Sequence, residues 1–188
     1  MRIVRTAALL TALLASSAAL AHPGHGAEGA AAGFLHPFSG LDHLLAMIAI
    51  GAWAAQQSGR ARWAVPGAFI AFMALGALAG NAGFAIPLAE PLIVASLLVL
   101  GLAIATQMRA HLAVGISIAT LFALMHGSVH GAESGGAPMA AYIIGMLAAT
   151  ATLHGAGFAA GATLRAVYLR LCGVAIAAGG VALAVAGA

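Results

Sequence analysis

There is no lysine in this chain, and Cys172 is its only cysteine. Charged residues make up 6% of the sequence and aromatic residues another 6%, against 63% hydrophobic. Each shortage excludes something. A water-exposed globule needs a densely charged surface, and seven arginines with four acids cannot supply one. A lone cysteine rules out an intrachain disulfide. Set in an apolar run, it reads as a buried packing residue. The net charge of +3 rests on arginines that are scattered rather than clustered, so a nucleic-acid surface is not expected. Ten-residue stretches of alternating polarity are missing, which argues against a membrane β-barrel. No Walker A pattern occurs, so the chain itself is not expected to hydrolyse ATP.

What the sequence has is long runs of alanine, leucine and glycine. Runs of about 20 apolar residues span a hydrocarbon core roughly 30 Å thick as helices. The first run follows "MRIVR" and ends in "ALA" before His22, the pattern of a cleaved signal peptide over 1–21. Residues 22–38 then form a histidine-containing tail outside the membrane. Over 39–188 the apolar runs predict six helices, near 39–57, 64–80, 91–108, 111–131, 137–159 and 166–186. The expected fold class is therefore an all-α membrane protein, a six-transmembrane-helix bundle after a cleaved signal peptide. GxxxG pairs at Gly76/Gly80 and Gly157/Gly161 suit close helix contacts.

Arginine positions give a direction. Arg60 and Arg62 fall in the first connection, Arg109 in the third, and Arg165 and Arg170 at the fifth. The positive-inside rule places these connections in the cytoplasm. Both mature termini then lie outside the bacterial cytoplasmic (inner) membrane. Glu28, Glu90 and Glu133 fall on the outer side, with Asp42 near the outer end of the first helix. Trp53 and Trp63 are expected in the inner aromatic belt.

Against this apolar background, "MHGSVHGAE" needs an explanation. His126, His130 and Glu133 share one helical face, spread over about 10 Å of axis. A His-x-x-x-His spacing offers two ligands for a divalent metal. One ion is not expected to touch all three; His130 and Glu133 are the pair that could share one, with His126 a step deeper. Glu133 ends its helix, where the macrodipole disfavours an acid and a bound cation would relieve it. The bland alternatives are hydrogen-bonded structural histidines and a solvated glutamate. The second cluster is "HPFSGLDH". His36 and His43 lie two turns apart and would align on a continuous helix, although Pro37 leaves the chain there open to irregularity. Asp42 has a structural alternative, a capping box with Ser39. Topology brings both clusters to one depth near the outer face.

These residues carry a resemblance. "HPFSGLDH" is similar to the H-x5-D-H motif, and "MHGSVHGAE" resembles the FHG-x-[AV]-HG-x-E motif, of the HupE/UreJ family of nickel and cobalt transporters. Six helices, motif order and spacing match over the whole mature chain. Met125 stands where the pattern has phenylalanine. The resemblance implies metal-binding or permeation roles for His36, Asp42, His43, His126, His130 and Glu133. It implies nickel(II) or cobalt(II) as transported ion, with no prosthetic group and no enzymatic activity. Partners are then the ion, the bilayer, further copies of the chain and, indirectly, the maturation of a downstream metalloenzyme.

Weaker candidates surround these. His22, His25 and Glu28, and separately Glu90, are candidates for metal capture at entry; His154 is a candidate exit ligand, with a core histidine as the alternative. His111 belongs at the inner interface, and Met47, Met73 and Met146 read as packing. Two other functions fit the same residues. One is an intramembrane metal-dependent hydrolase using Ser39 or Ser128. The other is a metal-binding accessory subunit of a larger transporter.

Overall fold

A computed structural model describes residues 29–84, 86–135 and 138–187. The expected signal peptide and His22, His25 and Glu28 lie outside the described residues. Those described form helices and turns without a strand. Helix α1 (Ala30–Leu35) runs into a 3-10 turn (His36–Phe38), followed by α2 (Leu41–Gln56), α3 (Ala61–Asn81), α4 (Ala89–Ala105), α5 (Leu112–Ala132), α6 (Met139–Thr163) and α7 (Ala166–Ala186). The six helices α2 to α7 correspond to the six predicted runs. Helix α1 and the 3-10 turn occupy part of the segment expected as a tail.

Four helices, α3, α5, α6 and α7, are long and apolar enough to cross a membrane. The segment Ala30–Phe38 and α2 pass that test together as a fifth, broken span, bent by 88°. Helix α4 is apolar but has 17 residues. That gives it about 26 Å, slightly less than a hydrocarbon core.

The bend has a local cause. Pro37 enters at the start of the 3-10 turn, Ser39 Oγ donates to the His36 carbonyl at 2.6 Å, and Gly40 is extended at φ −107°, ψ 124°. Helix α2 restarts from there. Ser39 is therefore not its cap, and no side chain caps Gly40. The continuous helix that would align His36 with His43 does not form.

The helices pair as α3 with α5, α4 with α7, and α2 with α6, with α1 laid on α6. Small residues make these pairs close. A Cβ at Gly127 or Gly131 on α5 would collide with the carbonyls of Met73 and Ala77 on α3. Gly76 and Gly80 answer from α3 against Ser128, and Gly157 meets the Ile48 carbonyl on α2. Both predicted GxxxG pairs thus sit in close contacts, where small residues let backbones approach. Met47, Ile50, Trp53, Phe69, Met73 and Met146 fill the core and are fully buried.

Two expectations need correction. Cys172 is exposed. Helix α7 lies at the edge and buries only the stripe Leu169, Gly173, Ala177 and Gly180, and Cys172 falls off that stripe. Trp53 is a core residue rather than a belt residue. Its Nε1 donates to the Met108 carbonyl at 2.9 Å. Trp63, 68% exposed, has the surface position a belt requires.

One pole of the bundle gathers arginines and glutamines. Gln57 donates to the Met108 carbonyl and accepts from the Ala110 N–H, and Arg170 donates to Gln107. Arg62 and Arg109 line one cavity there with Gln56 and Gln57. The histidines and carboxylates of the two motifs occupy the other end of α2 and α5.

Candidate metal centre

Helices α2 and α5 do not form one of the glycine-mediated close pairs. Imidazoles span the space between them. The His43 ring lies 4.4 Å from that of His130 and 5.0 Å from that of His126, centroid to centroid. The bend before α2 swings His36 over the top, 4.8 Å from His130. His36 Nε2 donates to Glu133 Oε2 at 3.2 Å. The sequence placed these residues 97 positions apart, and the fold closes that distance. One ligand atom from each of His36, His130 and Glu133 lies within 4.8 Å of the others, an arrangement that could hold a metal ion. A cavity of about 200 Å³ is lined by these three with Ser39, Gly40, Asp42 and His43.

The hydrogen bonds decide which nitrogen each ring presents. Asp42 Oδ1 accepts from the His43 backbone N–H at 2.8 Å and from His43 Nδ1–H at 2.9 Å. With the proton held on Nδ1, neutral His43 carries its lone pair on Nε2. That atom is buried and has no partner. His126 repeats the device with a carbonyl: Nδ1–H donates to Phe122 O at 2.8 Å, and Nε2 is buried and free. In His130 neither ring nitrogen is bonded, although the residue is 1% exposed. Buried polar atoms are nearly always paired, so such a run of free nitrogens points to an absent partner. A carboxylate or carbonyl on the far nitrogen is also how metal-ligating histidines are oriented. Asp42 therefore acts on His43, and the Ser39–Asp42 capping box is not formed.

The depth order matches the chemistry. His36 and Glu133 are partly exposed, with 24% and 53% of their side chains accessible. His130 and His43 come next, and His126 is fully buried. The cluster leads from surface to interior.

The remaining candidates are dispersed. Glu90 is in the first turn of α4, where an acid complements the helix dipole. It lines a separate cavity of about 460 Å³ with Ser128, Val129 and Ala132, on another face of α5. His154 is buried in α6, with Nδ1 donating to the Met47 carbonyl at 2.8 Å. His111 is exposed at the start of α5. Both serines considered as nucleophiles give their protons to carbonyls, Ser39 to His36 and Ser128 to Met125.

Sequence reasoning missed Tyr142. It is 2% exposed, its ring stands 5.8 Å from His36, and its hydroxyl is buried without a partner. The signal was a single phenol near the start of a mostly apolar helix. Nothing in its spacing ties it to the histidines, because α1 and its fold-back onto α6 create the contact.

Apolar spanning helices around a surface-to-interior cluster of imidazoles and carboxylates define an all-helical membrane protein with a polar site at one pole. The family model described as "HupE / UreJ protein" matches residues 10–183. "Protein HupE" of Rhizobium leguminosarum bv. viciae is 43% identical over 182 residues, covering 94% of this chain and 95% of that protein. The chain belongs to the HupE/UreJ family. No solved structure matches it.

Proposed function

We propose that the chain is a nickel permease of the bacterial cytoplasmic membrane, with cobalt as a second cargo. In this reading residues 1–21 are removed as a signal peptide and α2 to α7 are six spans. The histidine pole faces outside and the arginine pole faces the cytoplasm. The observation that carries the reading is the run of buried imidazole nitrogens without partners that begins at the exposed His36–Glu133 pair. A hydrated ion arriving there exchanges water for one carboxylate and one or two imidazoles. It is then handed inward to His43 and His126, whose Nε2 lone pairs are already turned toward it. Imidazole with a few carboxylate oxygens accommodates nickel and other borderline divalent ions, and the resemblance of the two motifs selects nickel and cobalt among them. Ligands scattered at several depths, rather than closed around one point, suit passage more than storage.

No nucleotide is needed to drive entry. A membrane potential of about 100 mV favours inward movement of a divalent ion by roughly 4.6 kcal/mol, more than a thousandfold in concentration. No prosthetic group enters the scheme. Further copies of the chain and a downstream metalloenzyme are the partners it proposes.

The test is uptake of radiolabelled nickel by cells carrying His130→Ala or Glu133→Gln at matched membrane levels. Both variants are expected to lose most uptake while inserting normally. Near-normal uptake in both would remove the cluster from the path.

A further inference from the structure

Below the cluster, His154 repeats its chemistry in a place the two motifs do not reach. The ring is 4% exposed. Its Nδ1 faces the Met47 carbonyl at 2.8 Å, and a carbonyl only accepts, so Nδ1 carries the proton. The neutral ring then has its lone pair on Nε2, which is buried and unpartnered. This is the state of His126 one layer above. Both rings touch the same neighbour: Phe69, fully buried, stands 5.6 Å from His126 and 5.1 Å from His154. One aromatic ring therefore packs against both imidazoles whose Nε2 lone pairs are free.

The surroundings of His154 are built tightly. Gly51 on α2 abuts the His154 carbonyl so closely that a Cβ there would collide with it. That contact and the Met47 hydrogen bond fix the ring between α2 and α6. A mere packing position would be served better by an apolar side chain, which leaves no buried nitrogen unpaired. Phe69, by contrast, sits on a weakened turn. Pro66 lies inside α3, three residues before it, and followed by Gly67. Proline has no N–H for the Arg62 carbonyl, which loosens the helix locally. His154 also lines a recess of about 330 Å³ with Gly51, Trp63, Pro66, Gly67 and Phe158.

We propose that His154 is a second, inner position for the transported divalent ion, and that the Phe69 ring is the barrier between it and the outer cluster. The inference rests on the permease reading and extends it. The ion leaves His126, passes Phe69 as that ring swings on the Pro66–Gly67 turn, and is received by His154 Nε2. Nothing is formed or broken except metal–ligand bonds.

The test compares wild type, His154→Asn, His154→Ala and His130→Ala, using nickel(II) as probe. Asparagine can keep the Met47 hydrogen bond through its amide N–H while lacking the imidazole lone pair. Two measurements are made: nickel bound to the purified protein at equilibrium, and initial uptake into proteoliposomes. His154→Asn is expected to slow uptake about tenfold or more, at least the scale on which even the outer-shell partners of metal ligands act, while the outer cluster binds nickel as in wild type. His130→Ala should lose both. Wild-type uptake by His154→Asn would overturn the proposal, because only the hydrogen bond would then matter. So would loss of outer binding in His154→Asn and His154→Ala alike, which would make the residue structural. Nickel that binds to the wild type but is never transported would sink the permease reading itself, and this extension with it.

Discussion

Replacing Asp42 by asparagine keeps the size of the side chain while removing its charge and its hold on the His43 tautomer, which makes it the sharpest perturbation of the site. In the structure Asp42 Oδ1 accepts two hydrogen bonds from His43. Through the Nδ1 contact it both fixes the tautomer and places a negative charge behind the ring. An ion about 2.1 Å from His43 Nε2 would stand roughly 7 Å from that charge. At an effective dielectric constant of about 20, one negative and two positive charges at that distance attract by about 5 kcal/mol. The carboxylate is 20% exposed, and solvent screening reduces the figure. A residual effect of roughly 2 kcal/mol still corresponds to about thirtyfold in affinity. The amide adds a second loss. Its NH2 can face Nδ1, which moves the ring proton to Nε2 and removes the lone pair. Asp42→Asn should therefore nearly abolish nickel uptake. Ser39→Ala is the control. It deletes the bond to the His36 carbonyl, worth about 1 kcal/mol, and should leave most uptake intact. Both variants belong in one uptake assay with thermal stability measured alongside. Equal and partial losses of transport, tracking equal losses of stability, would refute the claim that Asp42 works through its charge.

Other outcomes follow from the same structure. Gly131→Ala forces a Cβ against the Ala77 carbonyl. It should destabilise the α3–α5 pair by about 1–3 kcal/mol, read as a lower melting temperature in detergent; an unchanged temperature would show that the pair is not rigid. Single cysteines beside Arg60, Arg109 or Arg165, in a Cys172→Ser background, should resist an impermeant reagent in intact cells. Labelling beside Arg109 would reverse the orientation. Tyr142→Phe removes a buried hydroxyl that has no partner, so stability should not fall. A marked loss of stability would reveal a partner for that hydroxyl.

Much of this was legible before any coordinates. Helix positions followed from apolar runs punctuated by Pro, Gly and polar clusters, because in lipid the backbone has little alternative to a helix. The shared depth of His43 and His126 followed from topology alone. The route by which His36 reaches Glu133 did not. It depends on the 88° bend at Pro37–Gly40 and on α1 packing against α6 through Gly33 and Gly145. The bend arises locally, but the direction in which it sends His36 is not written in these residues, and the packing of α1 on α6 is a tertiary contact with only a weak local signal. Trp53 was misjudged because an aromatic near a helix end reads as a belt residue, and its partner, the Met108 carbonyl, comes from another connection. The role of Asp42 was open in sequence, since one spacing serves both a cap and an imidazole partner. Geometry separates them: the carboxylate oxygen lies on His43, and the Ser39 hydroxyl turns back to His36.

The central claim is that this chain alone moves nickel. The direct measurement is uptake of radiolabelled nickel into proteoliposomes containing only the purified protein, under an inside-negative potential set by a potassium gradient. The account predicts many ions accumulated per chain, dependence on the potential, and loss of both in His130→Ala. Nickel retained at no more than stoichiometric amounts, unaffected by the potential, would contradict it.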